Sequence, residues 1–382
     1  MSGSYSRELK VRPPGNPEIN APVTPPPQKK VLVTGATGFV GRAVIPELLQ
    51  AGFDVRASFR NQSAHQNSTP NVEWVSIPDL ESIADFRDLV KGIDSVVHLA
   101  ARVHQMGETG DASTERYREM NHAVTIRLAE AAVAENVTNF VFLSSIKVNG
   151  EATHGRPFTP TDPPTPEGAY ACSKREAERD LEKLSQRSKM QICVIRSPLV
   201  YGPGAGGNLA TLARSVQKGS LLPIGAIQNR RTLVSVVNLA SLVVAAVNSA
   251  SINSTVGRTP TSLDGISNDS ADGRGRPSDE KAESRYFHVV LAGDEKPVST
   301  PDIVRFIAQG MGRAPRLLSI PVALLRLAGT LTGRRGTIDR LCGDLEVDIS
   351  QTRELLNWSP VEPTEVGLAK FGQAFKTGSQ TA

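Results

Sequence analysis

Between residue 30 and about residue 200, short apolar runs alternate with longer segments in which apolar residues recur every three to four positions. The first predicted strand is 31–33, and the later ones lie near 54–59, 72–77, 95–101, 139–146 and 191–199. Runs of this length are typical of buried strands, and the segments between them have helical periodicity. Alternation of strand and helix predicts a parallel sheet with right-handed crossovers.

The runs at 95–100 and 140–143 are apolar on both faces of a predicted strand. This pattern indicates that helices cover the sheet on both sides. The predicted fold class is therefore α/β, with a doubly wound parallel sheet.

Composition changes along the chain and divides it into four segments, one of which contains an insertion. Residues 1–29 contain seven prolines and little apolar surface, so we expect a disordered leader. Residues 30–200 form the predicted sheet domain, and 201–376, richer in glycine and proline loops, form mainly a smaller substrate-binding lobe. Within that lobe, 251–285 is rich in Ser, Gly, Asp and Arg and is predicted to be a flexible insertion. Residues 377–382 form a tail.

An apolar segment at 321–331 is followed by Arg334 and Arg335. It fits contact with a membrane surface or a helix of the lobe with a basic end, and its length favours the lobe helix.

Charge and cysteine content exclude several classes of function. The net charge of +4 and the pI near 9.0 suit anionic ligands but not nucleic acid, since no basic stripe is interleaved with aromatic residues. The cysteines at 172, 193 and 342 lie too far apart for a Cys-x-x-Cys metal or redox pair, which fits a cytoplasmic protein. No apolar run is long enough for a membrane span, and the histidine spacing supports no metal site.

The most informative motif joins the first strand to the first helix through Gly35, Gly38 and Gly41. Gly35 allows a tight turn, Gly38 lets the backbone approach a pyrophosphate, and Gly41 lets the helix pack on the strand. The helix N-terminus offers free N–H groups to phosphates. With a strand before it and a helix after it, this turn predicts a dinucleotide site.

A second constellation predicts proton transfer. Tyr170 and Lys174 lie four residues apart on a predicted helix, so they share one face, where the ammonium favours the phenolate. Ser144 and Ser145 end a predicted strand about 25 residues earlier. Ser145 is expected to stabilise developing negative charge on a substrate oxygen.

These motifs resemble those of the extended short-chain dehydrogenase/reductases, within the nucleotide-sugar epimerase/dehydratase family. The resemblance covers about residues 30–376 and includes 31–41, 98–101, 140–145, 170–174, 196–204 and 356–360. It implies a Rossmann fold in which Ser145, Tyr170 and Lys174 are catalytic. The segment 145–150 departs from the family because Asn149 stands where many relatives carry Tyr, and this leaves the substrate subtype open.

The resemblance also implies binding residues. The candidate cofactor-binding residues are Gly35, Thr37, Gly38, Phe39, Val40, Gly41, Arg60, Asp79, Leu80, Leu99, Ala100, Ala101, Tyr170 and Lys174. The candidate substrate-binding residues are Ser144, Ser145, His104, Tyr201, Asn208 and Arg231. Arg231 is expected to meet the substrate diphosphate, His104 follows a strand end where a ligand could touch it, and His98 is expected to be a core histidine.

Cofactor preference is predicted from the end of the second strand. NAD enzymes usually place a carboxylate there, whereas an arginine pairs with the 2′-phosphate of NADP. Here Phe59 takes that position and Arg60 follows, which favours NADP(H), with NAD(H) as the alternative. Stacking of Arg60 on adenine is the other interpretation.

The main function predicted is an NAD(P)H-dependent reductase acting at C4 of a UDP-4-keto-hexose, a precursor of surface polysaccharide. The alternative is a UDP-glucose or UDP-N-acetylglucosamine 4-epimerase with tightly bound NAD. A second alternative is a non-catalytic dinucleotide-sensing protein. The substrate is expected to be a UDP-linked sugar, and a homodimer is expected as the assembly.

Overall fold

A computed structural model describes residues 28–60, 70–103, 111–256, 286–333 and 335–377. Most of the predicted leader, the part of the insertion from residue 257, most of the tail, His104 and Arg334 lie outside the described residues.

A seven-stranded parallel sheet forms the centre of the described structure. Its strands are β1 (Lys30–Thr34), β2 (Asp54–Phe59), β3 (Val72–Ser76), β4 (Ser95–His98), β5 (Asn139–Ser145), β6 (Gln191–Ser197) and β9 (Phe287–Leu291). They lie side by side in the order β3-β2-β1-β4-β5-β6-β9. Two short strands, β7 (Leu199–Tyr201) and β8 (Leu233–Ser235), pair separately and in parallel. The doubly wound parallel sheet predicted from the alternating pattern is confirmed.

Helices pack on both faces of the sheet because successive strand residues point to opposite sides. Val31 and Val33 pack with α1 (Phe39–Gln50) and α7 (Val236–Val256), whereas Leu32 packs on the other face. That second face is covered by α2 (Arg87–Val90), α4 (Val124–Ala134) and α5 (Gly168–Gln186). The apolar residues of β1 are fully buried on both sides.

A separate apolar core, which includes Ile307 and Phe371, lies among helices of the C-terminal half. The remaining helices are α3 (Asp111–Arg118), α6 (Gly207–Gln217), α8 (Thr300–Met311), α9 (Val322–Leu331), α10 (Arg335–Cys342), α11 (Ser350–Leu356) and α12 (Thr364–Lys376). A π-helix covers Glu119–Ala123, and 3-10 turns cover Leu80–Ser82 and Ile146–Val148.

The structure differs from the predicted boundaries in three places. The run at 191–199 is interrupted at Pro198, which has no N–H to donate to a ladder, so β6 and β7 belong to different sheets. The helix α7 runs to Val256, six residues into the predicted insertion. Both α7 and β9 come from beyond residue 200, yet α7 packs on the main sheet and β9 is one of its strands. The sheet domain is therefore not one continuous stretch of chain.

The segment at 321–331 forms α9, which packs against α10 through Gly329 and Ile338. Leu325 is buried, whereas Leu324, Leu327 and Leu331 are exposed. Among the residues that the structure describes, no helix is both long and apolar enough to cross a membrane.

Candidate active site

The glycine turn lies between β1 and α1, at the carboxyl edge of the sheet. Gly35 has a φ of +70°, and a Cβ placed there would lie 2.8 Å from the backbone nitrogen of Ala100. A Cβ on Gly41 would overlap the carbonyl oxygen of Gly35 and lie 2.6 Å from that of Ala36. Only glycine fits this close approach of helix, turn and neighbouring strand end.

The N-terminus of α1 suits a pyrophosphate. Gly38 is the N-cap, no side chain caps the helix, and no acidic residue lies in its first turn. The first N–H groups of the helix are therefore available to an anion, and the dipole favours negative charge there. Thr37, Phe39 and Val40 are partly exposed around this turn, as expected of residues that border a ligand.

The other predicted cofactor residues border the same edge. Leu99, Ala100 and Ala101 follow β4, where the Leu99 nitrogen donates to the Thr34 carbonyl at 3.2 Å. Arg60 follows β2 and forms an ion pair with Asp79 at 3.0 Å, with both side chains about two-thirds exposed (72% and 67%). The side chain of Leu80 is buried in the apolar core on the second face of the sheet, so it packs there and is not exposed to a ligand.

The structure brings the three predicted catalytic residues together. Ser145 is the last residue of β5, and its hydroxyl lies beside the phenol of Tyr170 in the first turn of α5, near enough to lower the pKa of that phenol. Lys174 follows one turn later and is 1% exposed. Its Nζ donates to the Leu143 carbonyl at 2.9 Å. The phenol, the hydroxyl and the ammonium thus occupy the strand end next to the glycine turn.

Burial changes the proton affinity of two of these groups in opposite directions. It raises the pKa of Tyr170 above its usual value, and the neighbouring Ser145 hydroxyl opposes this rise. Burial lowers the pKa of Lys174 to about 7, and the charge of Glu178 opposes this fall. Near neutral pH, Lys174 can therefore exist in either protonation state, which suits a group that assists proton transfer.

The placement of Ser144 does not support its predicted contact with substrate. Ser144 is 3% exposed, and its hydroxyl donates to Oε1 of Glu178 at 2.6 Å on the inner side of α5. Ser144 and Ser145 are adjacent in a strand, so their side chains point to opposite faces, and only Ser145 reaches Tyr170.

Tyr201 also departs from its predicted role. Its side chain is fully buried, and its hydroxyl donates to Oδ2 of Asp294 at 2.7 Å, between the β7–β8 pair and α12. The side chain is therefore held in the core and is not available to substrate.

The two remaining described substrate candidates lie in the lobe. Asn208 is exposed in the first turn of α6. Arg231 is half-buried and donates through Nη1 to the carbonyls of Arg340 and Gly343, at 2.7 and 3.2 Å. Burial lowers the pKa of Arg231, while the charges of Asp344 and Glu151 oppose this effect.

His98 is a core residue, as predicted. It is fully buried, and its ring nitrogens lie 2.6 Å from the Thr34 hydroxyl and 3.0 Å from that of Thr125. Burial lowers its pKa to about 3. Among the described residues, no group of three or more His, Cys, Asp or Glu side chains is placed to hold a metal ion.

Sequence reasoning missed a buried polar layer beneath the catalytic residues. Asn121 lies in the π-helix, where π-bulges often mark functional sites, and its amide donates to Arg102 O at 3.0 Å and to the Ser173 hydroxyl at 3.1 Å. Glu178 forms a buried ion pair with Arg196 at 2.7 Å. Helical spacing could have identified Glu178, because it lies one turn beyond Lys174 on the same face.

Comparison with known proteins gives the family. The model of the NAD dependent epimerase/dehydratase family matches residues 31–256. A Vibrio cholerae protein named UDP-glucose 4-epimerase is 36% identical over 350 residues, which covers 91% of this chain and 95% of that relative. These matches confirm the resemblance identified in the sequence motifs.

Solved structures share the fold. UDP-glucuronic acid 4-epimerase from Bacillus cereus, in complex with NAD, superposes with a TM-score of 0.66 at 20% identity, covering 91% of this chain and 99% of that one. UDP-N-acetylglucosamine 4-epimerase from Bacillus cereus gives 0.65 at 18% identity, covering 91% and 100%. The solved structures show the fold, whereas the family model and the Vibrio cholerae relative also show the family. The chain belongs to the NAD dependent epimerase/dehydratase family.

Proposed function

We propose that this protein is a 4-epimerase of a UDP-linked hexose and that it retains a dinucleotide through its reaction cycle. The observation that carries the proposal is the placement of the Ser145 hydroxyl beside the phenol of Tyr170, with Lys174 one turn further along α5, at the sheet edge that holds the Gly35 turn. This arrangement suits removal and return of a proton at a sugar hydroxyl.

The catalytic residues have separate roles in this proposal. Tyr170 takes the proton of the C4 hydroxyl and returns one when the opposite C4 isomer forms. Ser145 hydrogen-bonds the C4 oxygen and stabilises its developing charge. The ammonium form of Lys174 favours the phenolate of Tyr170 and is placed to hold a ribose hydroxyl.

The glycine turn fits a dinucleotide because a Cβ at Gly35 or Gly41 would fill the space that the backbone needs there. The first N–H groups of α1 would hold the pyrophosphate. When bound, the nicotinamide would accept and return the hydrogen and two electrons of the C4 position. Because an epimerase regenerates its cofactor in each cycle, tight retention would benefit it.

We place NAD(H) before NADP(H), which reverses the order predicted from Arg60. The guanidinium of Arg60 is paired with Asp79, so a carboxylate lies beside the charge that a 2′-phosphate would need. The NAD named in the complex of the Bacillus cereus UDP-glucuronic acid 4-epimerase also supports NAD(H). A preference for NADP(H) rests on Arg60 alone.

The names of the relatives favour the epimerase over the reductase. The Vibrio cholerae relative is named a UDP-glucose 4-epimerase, and the two Bacillus cereus structures are named UDP-sugar 4-epimerases. The reductase remains the second candidate because of Arg60. UDP-glucose and UDP-N-acetylglucosamine are the first substrates to test.

The decisive experiment begins with the protein as purified. The dinucleotide released by denaturation is identified, and the protein is then incubated with UDP-glucose or UDP-N-acetylglucosamine without added cofactor. Interconversion of the C4 isomers with retained NAD(H) supports the proposal. Stoichiometric NADPH oxidation with a UDP-4-keto-6-deoxy sugar, without isomer interconversion, would establish the reductase instead. A dinucleotide bound without either reaction would favour the sensing role.

Cytoplasmic location and a homodimer are part of the proposal. None of the three cysteines forms a disulfide in the structure, which supports a reducing compartment. The molar mass in solution, measured by light scattering, tests the dimer.

A further inference from the structure

Two opposite charges are buried beneath the catalytic helix. The carboxylate of Glu178 is fully buried, and the side chain of Arg196 is 3% exposed. The Arg196 Nε and Nη2 atoms donate to the two carboxylate oxygens at 3.1 and 2.7 Å, which makes a bidentate pair. Burying two charges carries a large desolvation cost, so such a pair is weak evidence for a role in stability.

The pair connects the elements that carry the catalytic residues. Glu178 lies on α5 one turn beyond Lys174, and Arg196 lies on β6 directly opposite Ser144 in the sheet register. The Ser144 hydroxyl donates to Oε1 of Glu178 at 2.6 Å. The backbone that presents Ser145 is therefore tied to the helix that presents Tyr170 and Lys174.

The same pair reaches the segment that follows the catalytic serine. Nη1 of Arg196 donates to Oδ1 of Asn149 at 2.9 Å, and the Asn149 amide donates to the Thr159 carbonyl at 3.0 Å. The Thr165 hydroxyl donates to the Asn149 carbonyl. Arg196 thus also holds the chain between β5 and α5.

We propose that Glu178, held by Arg196 and Ser144, is a positioning residue that fixes Ser145 and Lys174 relative to each other for proton transfer. Glu178 does not touch substrate in this role, because its side chain is buried between α5 and the sheet. The catalytic part of this inference rests on the proposed 4-epimerase, whereas the effect on Lys174 does not.

The surroundings of Lys174 make its protonation a sensitive readout. Glu178 and Tyr170 lie on the same helix as Lys174. His98 lies on β4 and is kept neutral by burial, and Tyr117 of α3 packs on Tyr170. Arg196 of β6 is paired with Glu178. Of these groups, Glu178 is the one whose negative charge favours the ammonium of Lys174.

The test compares Glu178→Gln with a matched control, Glu182→Gln, one turn further along α5. With its amide oxygen in the place of Oε1, the glutamine keeps the shape and the bond from Ser144, but it removes the charge and the acceptor of Arg196 Nη2. Lysine side chains are labelled with ¹³C, and the Lys174 signal, assigned by its absence in Lys174→Arg, is titrated by NMR in the protein as purified. We expect a lower titration midpoint in Glu178→Gln than in wild type, and an unchanged midpoint in Glu182→Gln.

Ser144→Ala provides a second variant that keeps all charges. It should lower kcat on the order of tenfold, with the KM for the UDP-sugar within about twofold, because only the geometry of Ser145 is loosened. A kcat in Ser144→Ala equal to that of wild type would overturn the positioning role, and an unchanged Lys174 midpoint in folded Glu178→Gln would overturn the effect of the Glu178 charge on Lys174. If wild type interconverts no UDP-sugar, the proposed function fails, while the NMR titration still decides the effect on Lys174.

Discussion

The ammonium of Lys174 lies 4.4 Å from the centroid of the Phe142 ring. The same ring stacks with that of His98 at a centroid distance of 5.9 Å. An ionisable lysine and a neutral histidine thus share one aromatic side chain within the core. The dry surroundings that lower the pKa of both groups make the stability of the fold depend on pH in two separate ranges.

Lys174 should make the protein less stable below neutral pH. Burial lowers its pKa from 10.5 to about 7, so between these values the unfolded chain binds more protons than the folded chain. Stability should therefore rise with pH across this range, and the cost of the buried charge is fully present below pH 7. Replacing Lys174 with Met should remove a cost on the order of a few kcal/mol at pH 6, and this gain should vanish towards pH 10.

Urea unfolding of dinucleotide-free protein at pH 6, 8 and 10 measures this effect. Lys183→Met, an exposed position on the same helix, is the control and should show no such pH dependence. A difference between Lys174→Met and wild type that stays constant from pH 6 to 10 would contradict the prediction.

His98 should make the protein sensitive to acid. Its pKa falls from 6.5 to about 3, so the folded chain resists a proton that the unfolded chain accepts between these values. Stability present above pH 6.5 is lost as the pH falls towards 3. In this range, His98 lowers the free energy of unfolding by about 1.4 kcal/mol for each pH unit of acidification.

His98→Gln should reduce the slope of unfolding free energy against pH between 6 and 4 by about this amount, even if it lowers stability at pH 7. His154→Gln, at an exposed position, is the matched control. Equal slopes in His98→Gln and wild type would show that His98 does not govern the acid response.

The core strands were predictable from sequence because their apolar runs are dictated by burial on both faces. The direction of a side chain at the end of a strand was harder to predict. Ser144 and Ser145 are chemically alike, and the difference between them arises from Glu178, 34 residues further along the chain from Ser144. Strand alternation shows that the two serines face opposite sides, but it does not show which of them faces Tyr170.

Tyr201 shows a different reason for failure. Its partner, Asp294, is 93 residues away in sequence, and the two meet only because β7 leaves the main sheet at Pro198 and pairs with β8. No local pattern of residues encodes that contact. Long-range polar pairs in the core, such as Glu178 with Arg196, are hidden from sequence reasoning for the same reason.

Gly41 should tolerate no larger side chain. A Cβ there would overlap the Gly35 carbonyl oxygen and lie 2.6 Å from that of Ala36, and these backbone atoms cannot move without opening the turn. Gly41→Ala should destabilise the fold by about 1–3 kcal/mol and should weaken dinucleotide retention. Gly336→Ala is the control because no atom lies within 4 Å of a Cβ there, and alanine favours the helix. Thermal unfolding of both variants measures the difference, and equal melting temperatures would contradict the prediction.

Tyr170 should be essential for turnover but not for binding. Tyr170→Phe keeps the ring and its edge contact with Tyr117, at a centroid distance of 6.3 Å, but removes the group that exchanges the proton. Interconversion of the C4 isomers should fall on the order of 10² or more, while the dinucleotide content of the purified protein stays near that of wild type. Tyr117→Phe is the matched control, because it removes the neighbouring phenol, whose hydroxyl donates to the Val103 carbonyl at 3.4 Å, and it should retain most of the activity. A Tyr170→Phe variant within a few-fold of wild type would move the proton-transfer role to another group of this site, with Lys174 as the first to examine because its pKa lies near 7.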